Sequence, residues 1–314
     1  MKKVLIWLLL IAMLVMAGCS NVTDPNGDDS QPSAGSTEDG EGNGVDYSKY
    51  ATSVRLLCYN IYYLDVDSRA ANICDLILKQ DPDVLMLQEV SVPWIPYLQS
   101  FMADNGYSYY GYGRYGGELS GDDLQSGDQF VPILWKTEKY DLVESGHYWL
   151  SSTPDIFSSD WVDGTTSNFP RCVNWVILKD KQTGGEFVAL NIHTDPESEK
   201  VRTNSCALTV EKLEELRDGR PAILGGDWNM GLTSPGYGVM TSSGYKDVRT
   251  IAEERDLGGS FNAWGEREEG NFAYGDHLFA SEDVAASVFD VVDDVYDGDH
   301  ISDHNPLFAV LYFN

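Results

Sequence analysis

AILGGDWNM, Ala222–Met230, runs three apolar residues into Gly225 and Gly226 and then delivers Asp227, Trp228 and Asn229. A short apolar run stopped by turn-forming residues reads as a buried strand carrying polar groups at its end. The two glycines are expected to let the backbone turn tightly there. Asp227 and Asn229, two positions apart on extended chain, point the same way. Such a pair can hold a metal-bound water and hydrogen-bond a reacting oxygen. Taken alone, Gly-Asp-x-Asn is also an ordinary Asp/Asn turn after a strand.

The neighbouring sequence repeats the theme. Upstream lie a helix over Val201–Arg217 and a strand, FVALNIHTD (Phe187–Asp195), which carries Asn191, His193 and Asp195. Much earlier, VRLLCYNIYY (Val54–Tyr63) reads as a strand carrying Asn60, rich in aromatic and β-branched residues. Ser68 then caps a helix over Arg69–Lys79, Asp81-Pro82-Asp83 breaks it, and VLMLQEV (Val84–Val90) is a buried strand ending at Glu89. Asn60 and Glu89 are 29 residues apart, and Asn191 and Asp227 are 36. Both halves therefore read strand–Asn, helix, strand–acid, the pattern of an internal duplication with functional groups at equivalent strand ends.

Between and after these units, Pro93–Asn105 is expected to be helical, and Phe130–Trp135, Tyr140–Ser151 and Cys172–Lys179 to be strands, with Arg171 at the entrance of the last. YSYYGYGRYGG (Tyr107–Gly117) is either a tyrosine stacking wall or an edge strand with a Gly-rich loop. Asp155–Pro170 reads as a surface insertion. Near the end, YGDHLFA (Tyr274–Ala280) brings Asp276, the polar turn HISDHNPL (His300–Leu307) brings Asp303 and His304, and Phe308–Phe313 is an apolar strand.

The N-terminus has a different character. MKKVLIWLLLIAMLVMAGCS places two lysines before an apolar run too short for a comfortable membrane span, so a signal peptide over residues 1–18 is expected. Met16-Ala17-Gly18-Cys19 resembles a bacterial lipobox, which implies lipidation of Cys19; Ser20 after it resembles outer-membrane sorting. Residues 19–50 form a polar acidic tether, leaving 51–314 as the domain. The full chain of 314 residues has a formal charge of −29. Residues 1–50 hold 7 acids and 3 bases, which leaves 43 acids and 18 bases, a charge near −25, in the domain. That balance disfavours a basic nucleic-acid-binding patch. Cys58, Cys74, Cys172 and Cys206 show no disulfide framework or zinc spacing. Neither a Gly-x-Ser-x-Gly elbow nor a nucleotide-binding glycine loop occurs.

CYNIY, LQEV, NIHTD, GDWN, GDHLF and SDHNP occur in this order between residues 54 and 313. Together they resemble the endonuclease/exonuclease/phosphatase superfamily, the DNase I-like fold. The resemblance implies an α/β fold, a four-layer α/β/β/α sandwich of two mixed sheets packed face to face with helices outside. It implies a phosphoesterase that uses Mg²⁺ or Mn²⁺, with Glu89, Asn60 and Asp303 as metal ligands, hard oxygen donors that suit such a cation. It implies catalytic roles for His193, Asp227, Asn229, Asp276 and His304, with Asp227 and Asn229 positioning water, Asp276 orienting His304, and Arg171 contacting phosphate. Whether Asp227 or His304 takes the proton of the water is left open. Asp128 stands where close relatives carry Glu, a shorter partner for His193, and His277 suits packing. The expected substrate is a small or medium phosphoester, handled by a monomer held at the membrane only through its lipid; duplex DNA fits the charge poorly. The alternative is an inactive surface-binding lipoprotein on the same fold.

Overall fold

The computed structural model describes residues 45–121, 124–161, 169–267 and 273–314. The leader, the lipobox at Cys19, most of the tether and the middle of the Asp155–Pro170 insertion lie outside the described residues. Thirteen strands make the two large sheets: β1 Thr52–Asn60, β2 Val84–Gln88, β3 Tyr107–Tyr110, β4 Ile133–Lys136, β5 Tyr140–Trp149, β6 Cys172–Asp180, β7 Glu186–His193, β8 Ala222–Asp227, β9 Lys246–Asp247, β10 Glu254–Arg255, β11 Asp276–Ala280, β12 Ala285–Val291 and β13 Leu307–Phe313. The first sheet has the order β10-β12-β13-β1-β2-β4-β3 and the second β9-β11-β8-β7-β6-β5. Helices α1 Val66–Gln80 and α2 Ile95–Asn105 belong to the first half, and α3 Glu199–Arg217 and α4 Pro235–Ser242 to the second.

Three apolar clusters stack these elements into four layers. Between the sheets, Leu56, Cys58, Met86 and Ile133 of one face Val176, Ala189, Ile223 and Leu278 of the other. On the outer face of the first sheet, Leu57, Tyr59 and Leu85 pack on Ile73 and Ile77 of α1 and on Leu98 of α2. On the outer face of the second, Val188, Leu190 and Leu224 pack on Cys206 and Leu213 of α3 and on Met240 of α4. Strands buried on both faces read as continuous apolar runs, which is why VLML and AIL are unbroken. The expected α/β/β/α sandwich is thus the observed fold. Each half is built on a strand, helix, parallel strand unit, β1–α1–β2 and β7–α3–β8. Among the described residues no helix is long and apolar enough to cross a membrane.

Several local expectations are corrected. Gly225 and Gly226 lie inside β8 rather than in a turn. A Cβ on Gly225 would stand 2.7 Å from Met86 Sδ in the facing sheet, and one on Gly226 only 2.1 Å from the Ile192 carbonyl oxygen. Both glycines therefore answer to close approach. Helix α1 starts at Val66, after Asp65 in a left-handed conformation without a side-chain cap; Ser68 sits in the first turn and donates to Asp65 O at 2.8 Å. The equivalence of Asn60 and Asn191 also fails. Asn60 pairs with Gln88, one residue before Glu89, whereas Asn191 pairs with Gly225, two before Asp227. One step along a strand turns the side chain to the other face. Asn191 is fully buried between the sheets, donating to Leu87 O and Pro132 O and accepting from Gln88 Nε2. The tyrosine segment splits: Tyr107–Tyr110 is an edge strand, and Tyr107 is buried with its hydroxyl on Pro82 O.

Candidate active site

Strand register gathers the predicted residues at one end of the sandwich. In the second sheet, His193, Asp227 and Asp276 are direct neighbours across β7, β8 and β11. In the first sheet, Asn60 ends β1 beside Gln88, and Glu89 follows. The turn before β13 supplies Asp303 and His304, and Ser302 Oγ ties it to Asn60 by donating to its carbonyl at 2.7 Å.

Asp227 is the centre of this group. Its Oδ2 accepts from Asn60 Nδ2 at 3.0 Å and lies 3.5 Å from His193 Nε2 and 3.8 Å from His304 Nε2. Its Oδ1 accepts the Asn229 N–H at 3.0 Å. Asn229 adopts φ 48°, a conformation Asn tolerates better than most residues, and donates its own amide to Thr194 O at 3.2 Å. Trp228 is buried as shape, its indole bonded to His277 O. His277 is likewise buried, with Nε2 on Met230 O, and stays in the packing.

His304 is oriented by Asp276, whose Oδ2 lies 2.6 Å from Nδ1. Burial works against the imidazolium, but the charges of Asp276 and Asp227 and the Asp276 hydrogen bond win, and the His304 pKa rises to about 10. His193 goes the other way. Burial, then the positive charge of Arg171, lower its pKa to about 3, so it is neutral at physiological pH. Two imidazoles on either side of one carboxylate thus hold different protonation states. Arg171 is half-buried, its Nε has no partner among the described residues, and its charge acts on His193, Glu89 and Asp227. Arg114, whose charge also reaches Arg171, is held by Gln129 Oε1 and Gly127 O. Asp128 is not the partner of His193: its Oδ1 accepts the Tyr115 and Gln129 N–H groups.

Glu89 and Asp303 form the acidic side of the site. Glu89 holds φ 59° and accepts the Tyr63 N–H at 3.2 Å. Burial, then the charges of Asp303 and Asp227, push its carboxyl up to about 7. Burial also raises the carboxyl of Asp303, against the pull of His304. Neither acid makes a lysine or arginine ion pair among the described residues. Crowded hard oxygens without a neutralising base fit a divalent cation, and Asn60 adds an amide oxygen beside them. Asp227, Asp276 and His304 also bring one ligand atom each within 4.8 Å of one another. Asp276 there is engaged by His304 and by Ser260 Oγ, so this trio reads as a hydrogen-bonded chain beside Glu89 and Asp303. Ser260 was not foreseen; a lone serine in a Gly-Gly-Ser-Phe loop carries no signal of its partner.

The profile of the Endonuclease/Exonuclease/phosphatase family matches residues 57–304. Among solved structures, one endonuclease/exonuclease/phosphatase from Bacteroides vulgatus is similar at 26% identity and TM-score 0.75, covering 84% of this chain and 100% of that one. A family protein from Bacteroides thetaiotaomicron is similar at 30% identity and TM-score 0.74, covering 84% and 98%. A mannosyl-6-phosphatase from the same organism is similar at 30% identity and TM-score 0.72, covering 83% and 100%. Comparison with curated proteins returns no match.

Proposed function

Since the chain belongs to the endonuclease/exonuclease/phosphatase family, whose members generally hydrolyse phosphoesters, we propose that it is a divalent-metal-dependent phosphatase acting on small phosphomonoesters, sugar phosphates above all. The observation that carries this reading is the placement of one carboxylate, Asp227, between the imidazoles of His193 and His304, beside Glu89 and Asp303, neither of which makes a lysine or arginine ion pair among the described residues. Similarity at 30% identity to a mannosyl-6-phosphatase supports the substrate class, and the domain charge near −25 argues against polynucleotides.

The residues divide the work as follows. Asp227, steadied by Asn60 and by the Asn229 N–H, orients the attacking water and accepts its proton. His304 already carries a proton, so it faces the phosphoryl group as a cation held in place by Asp276. His193 donates a neutral hydrogen bond, and Arg171 supplies a fixed charge, to oxygens that gain negative charge in the transition state. Mg²⁺ or Mn²⁺ held by Glu89, Asp303 and Asn60 would neutralise that charge and polarise the phosphoryl oxygen. The inactive-binder alternative is disfavoured because Glu89, His193, Asp227, Asn229, Asp276, Asp303 and His304 are all retained in the sequence. We also propose that lipidated Cys19 anchors the mature chain at the outer membrane, with the tether holding the domain away from the surface.

The test is turnover of a panel of phosphomonoesters and phosphodiesters in Mg²⁺, Mn²⁺ and EDTA. Metal-dependent release of phosphate from monoesters is expected. No turnover with any metal would return the protein to the binding reading.

A further inference from the structure

An exposed aromatic group stands next to the acidic side of the site. Tyr62 and Tyr63 follow Asn60 after one residue, Ile61, and their N–H groups donate to Asn60 Oδ1 and Glu89 Oε2. Trp264 comes from a different segment mounted on the catalytic turn. The Asn262 and Ala263 N–H groups donate to Asp303 O at 2.9 and 3.1 Å, and the Asn262 side chain donates to Ser302 O and accepts the Trp264 N–H. The Tyr62 ring centre is 5.0 Å from both the Tyr63 and the Trp264 ring centres. Tyr63 is 38% and Trp264 41% exposed, although both are large aromatic residues.

Two further features show that this group is built rather than incidental. Tyr62, Ala263 and Trp264 hold φ of 56°, 54° and 60°, a region that side chains other than Gly, Asn and Asp resist and that is kept where the surroundings require it. Beneath the rings lies Arg69, buried without a carboxylate ion pair among the described residues. It donates to the carbonyls of Ile61, Tyr62, Leu64 and Ile301. Its guanidinium lies 5.5 Å from the Tyr62 ring and 5.4 Å from the Trp264 ring. One arginine thus ties the backbone of the Tyr62 segment to Ile301 in the turn that carries Asp303 and His304, and packs against two of the rings, which pre-organises the platform.

We propose that Tyr62, Tyr63 and Trp264 form the leaving-group subsite of the phosphatase, taking the apolar face of a pyranose ring whose phosphate lies over Glu89 and Asp227. The inference rests on the phosphatase reading above. On its other side Tyr63 borders an open depression of about 380 Å³ lined also by Leu64, Asp65, Val66, Asp67, Ser68 and Pro93. A pyranose offers one C–H face and a rim of hydroxyl donors. Aromatic rings beside acceptor-only carboxylates match both. A nucleobase offers few donors to those acids.

The experiment compares wild-type protein with Trp264→Ala, Trp264→Phe and Tyr63→Ala, each checked for an unchanged melting transition. The substrates are mannose 6-phosphate, adenosine 5′-phosphate and ringless glycerol 3-phosphate, all in Mg²⁺. An aromatic contact of this kind sets the scale, so Trp264→Ala should lower the ratio of kcat/KM for the hexose ester to that for the glycerol ester by roughly five- to tenfold. The loss should appear in KM, and Trp264→Phe should keep most of the ratio. An unchanged ratio, or a fall seen only with adenosine 5′-phosphate, overturns the proposal. If wild-type protein hydrolyses none of the three, the phosphatase reading has failed, and titration of mannose 6-phosphate decides the subsite separately. Weaker binding by Trp264→Ala then supports it, and equal binding or none by either protein refutes it.

Discussion

Replacing Glu89 by Gln should make the metal-free protein more stable while abolishing its activity. The Glu89 carboxyl moves from 4.5 to about 7 through burial and then through Asp303 and Asp227. Each tenfold change in proton affinity is about 1.4 kcal/mol, so the ionised carboxylate costs the fold about 2–3 kcal/mol after allowance for its partial exposure. The sign follows from linkage. The folded pKa lies above the unfolded one, so the penalty is absent below about 4.5, grows as pH rises, and is complete above about 7. Glutamine keeps the acceptor for Tyr63 N–H and removes the charge. With EDTA at pH 8, circular dichroism should show the variant melting about 4–6 °C higher than wild type, the shift expected for a domain of this size. Near pH 4 the two should converge. Mg²⁺ should raise the wild-type melting temperature and leave the variant nearly unmoved, because a cation that binds only the folded state stabilises it. A variant that melts lower at pH 8, or a wild type indifferent to Mg²⁺ and Mn²⁺, would refute the cation site at Glu89.

Asp276→Asn should reduce kcat/KM about 10²–10⁴-fold. It should also move the alkaline limb of the pH profile down, since His304 loses the partner that raises its pKa to about 10; an unmoved limb would detach Asp276 from His304. Gly226→Ala should cost about 3 kcal/mol or more, because its methyl would meet Ile192 O at 2.1 Å, and a soluble variant with native melting would contradict the close approach. Cys19→Ser should release the protein from the membrane fraction, and mass spectrometry of the wild type should find a lipidated Cys19 as the first residue; an unmodified start elsewhere would exclude the anchor. Plasmid DNA should be cut poorly beside small esters at low salt, and efficient cutting with the esters untouched would reverse the substrate assignment.

The fold was legible because its buried strands are long apolar runs that end in chemistry. VLMLQE and AILGGD can be read as core strands from composition alone, and the acids at their ends fall where the two sheets meet. Asp227, His193 and Asp276 were each assigned from short motifs, and register then set them side by side. Register was also where the reading failed. Asn191 has the same local sequence as a strand-end amide, but its side chain points between the sheets, and only the pairing with Gly225 reveals it. The glycines of GGD looked like a turn because the sulfur and carbonyl that exclude a Cβ come from Met86 and Ile192, contacts set by tertiary packing.

Backbone conformation is the part that sequence hides most completely, and here it concentrates at the site. Nine non-glycine residues among those described have positive φ. Six of them, Tyr62, Asp65, Glu89, Asn229, Ala263 and Trp264, belong to the segments that carry the catalytic groups, the aromatic platform or the adjoining depression. Only Asn and Asp hint at such a conformation in sequence; a tyrosine, a glutamate and a tryptophan do not. Each resists that geometry, so each must be held by neighbours: Glu89 by Tyr63, Trp264 by Asn262, and Tyr62 by Arg69 and Asn60. Where such residues cluster, as they do here, the direction of the side chain is a candidate for serving something outside the fold. For Glu89 that is the proposed cation, and the same logic, applied to Trp264, points to a ring stacked on its exposed face.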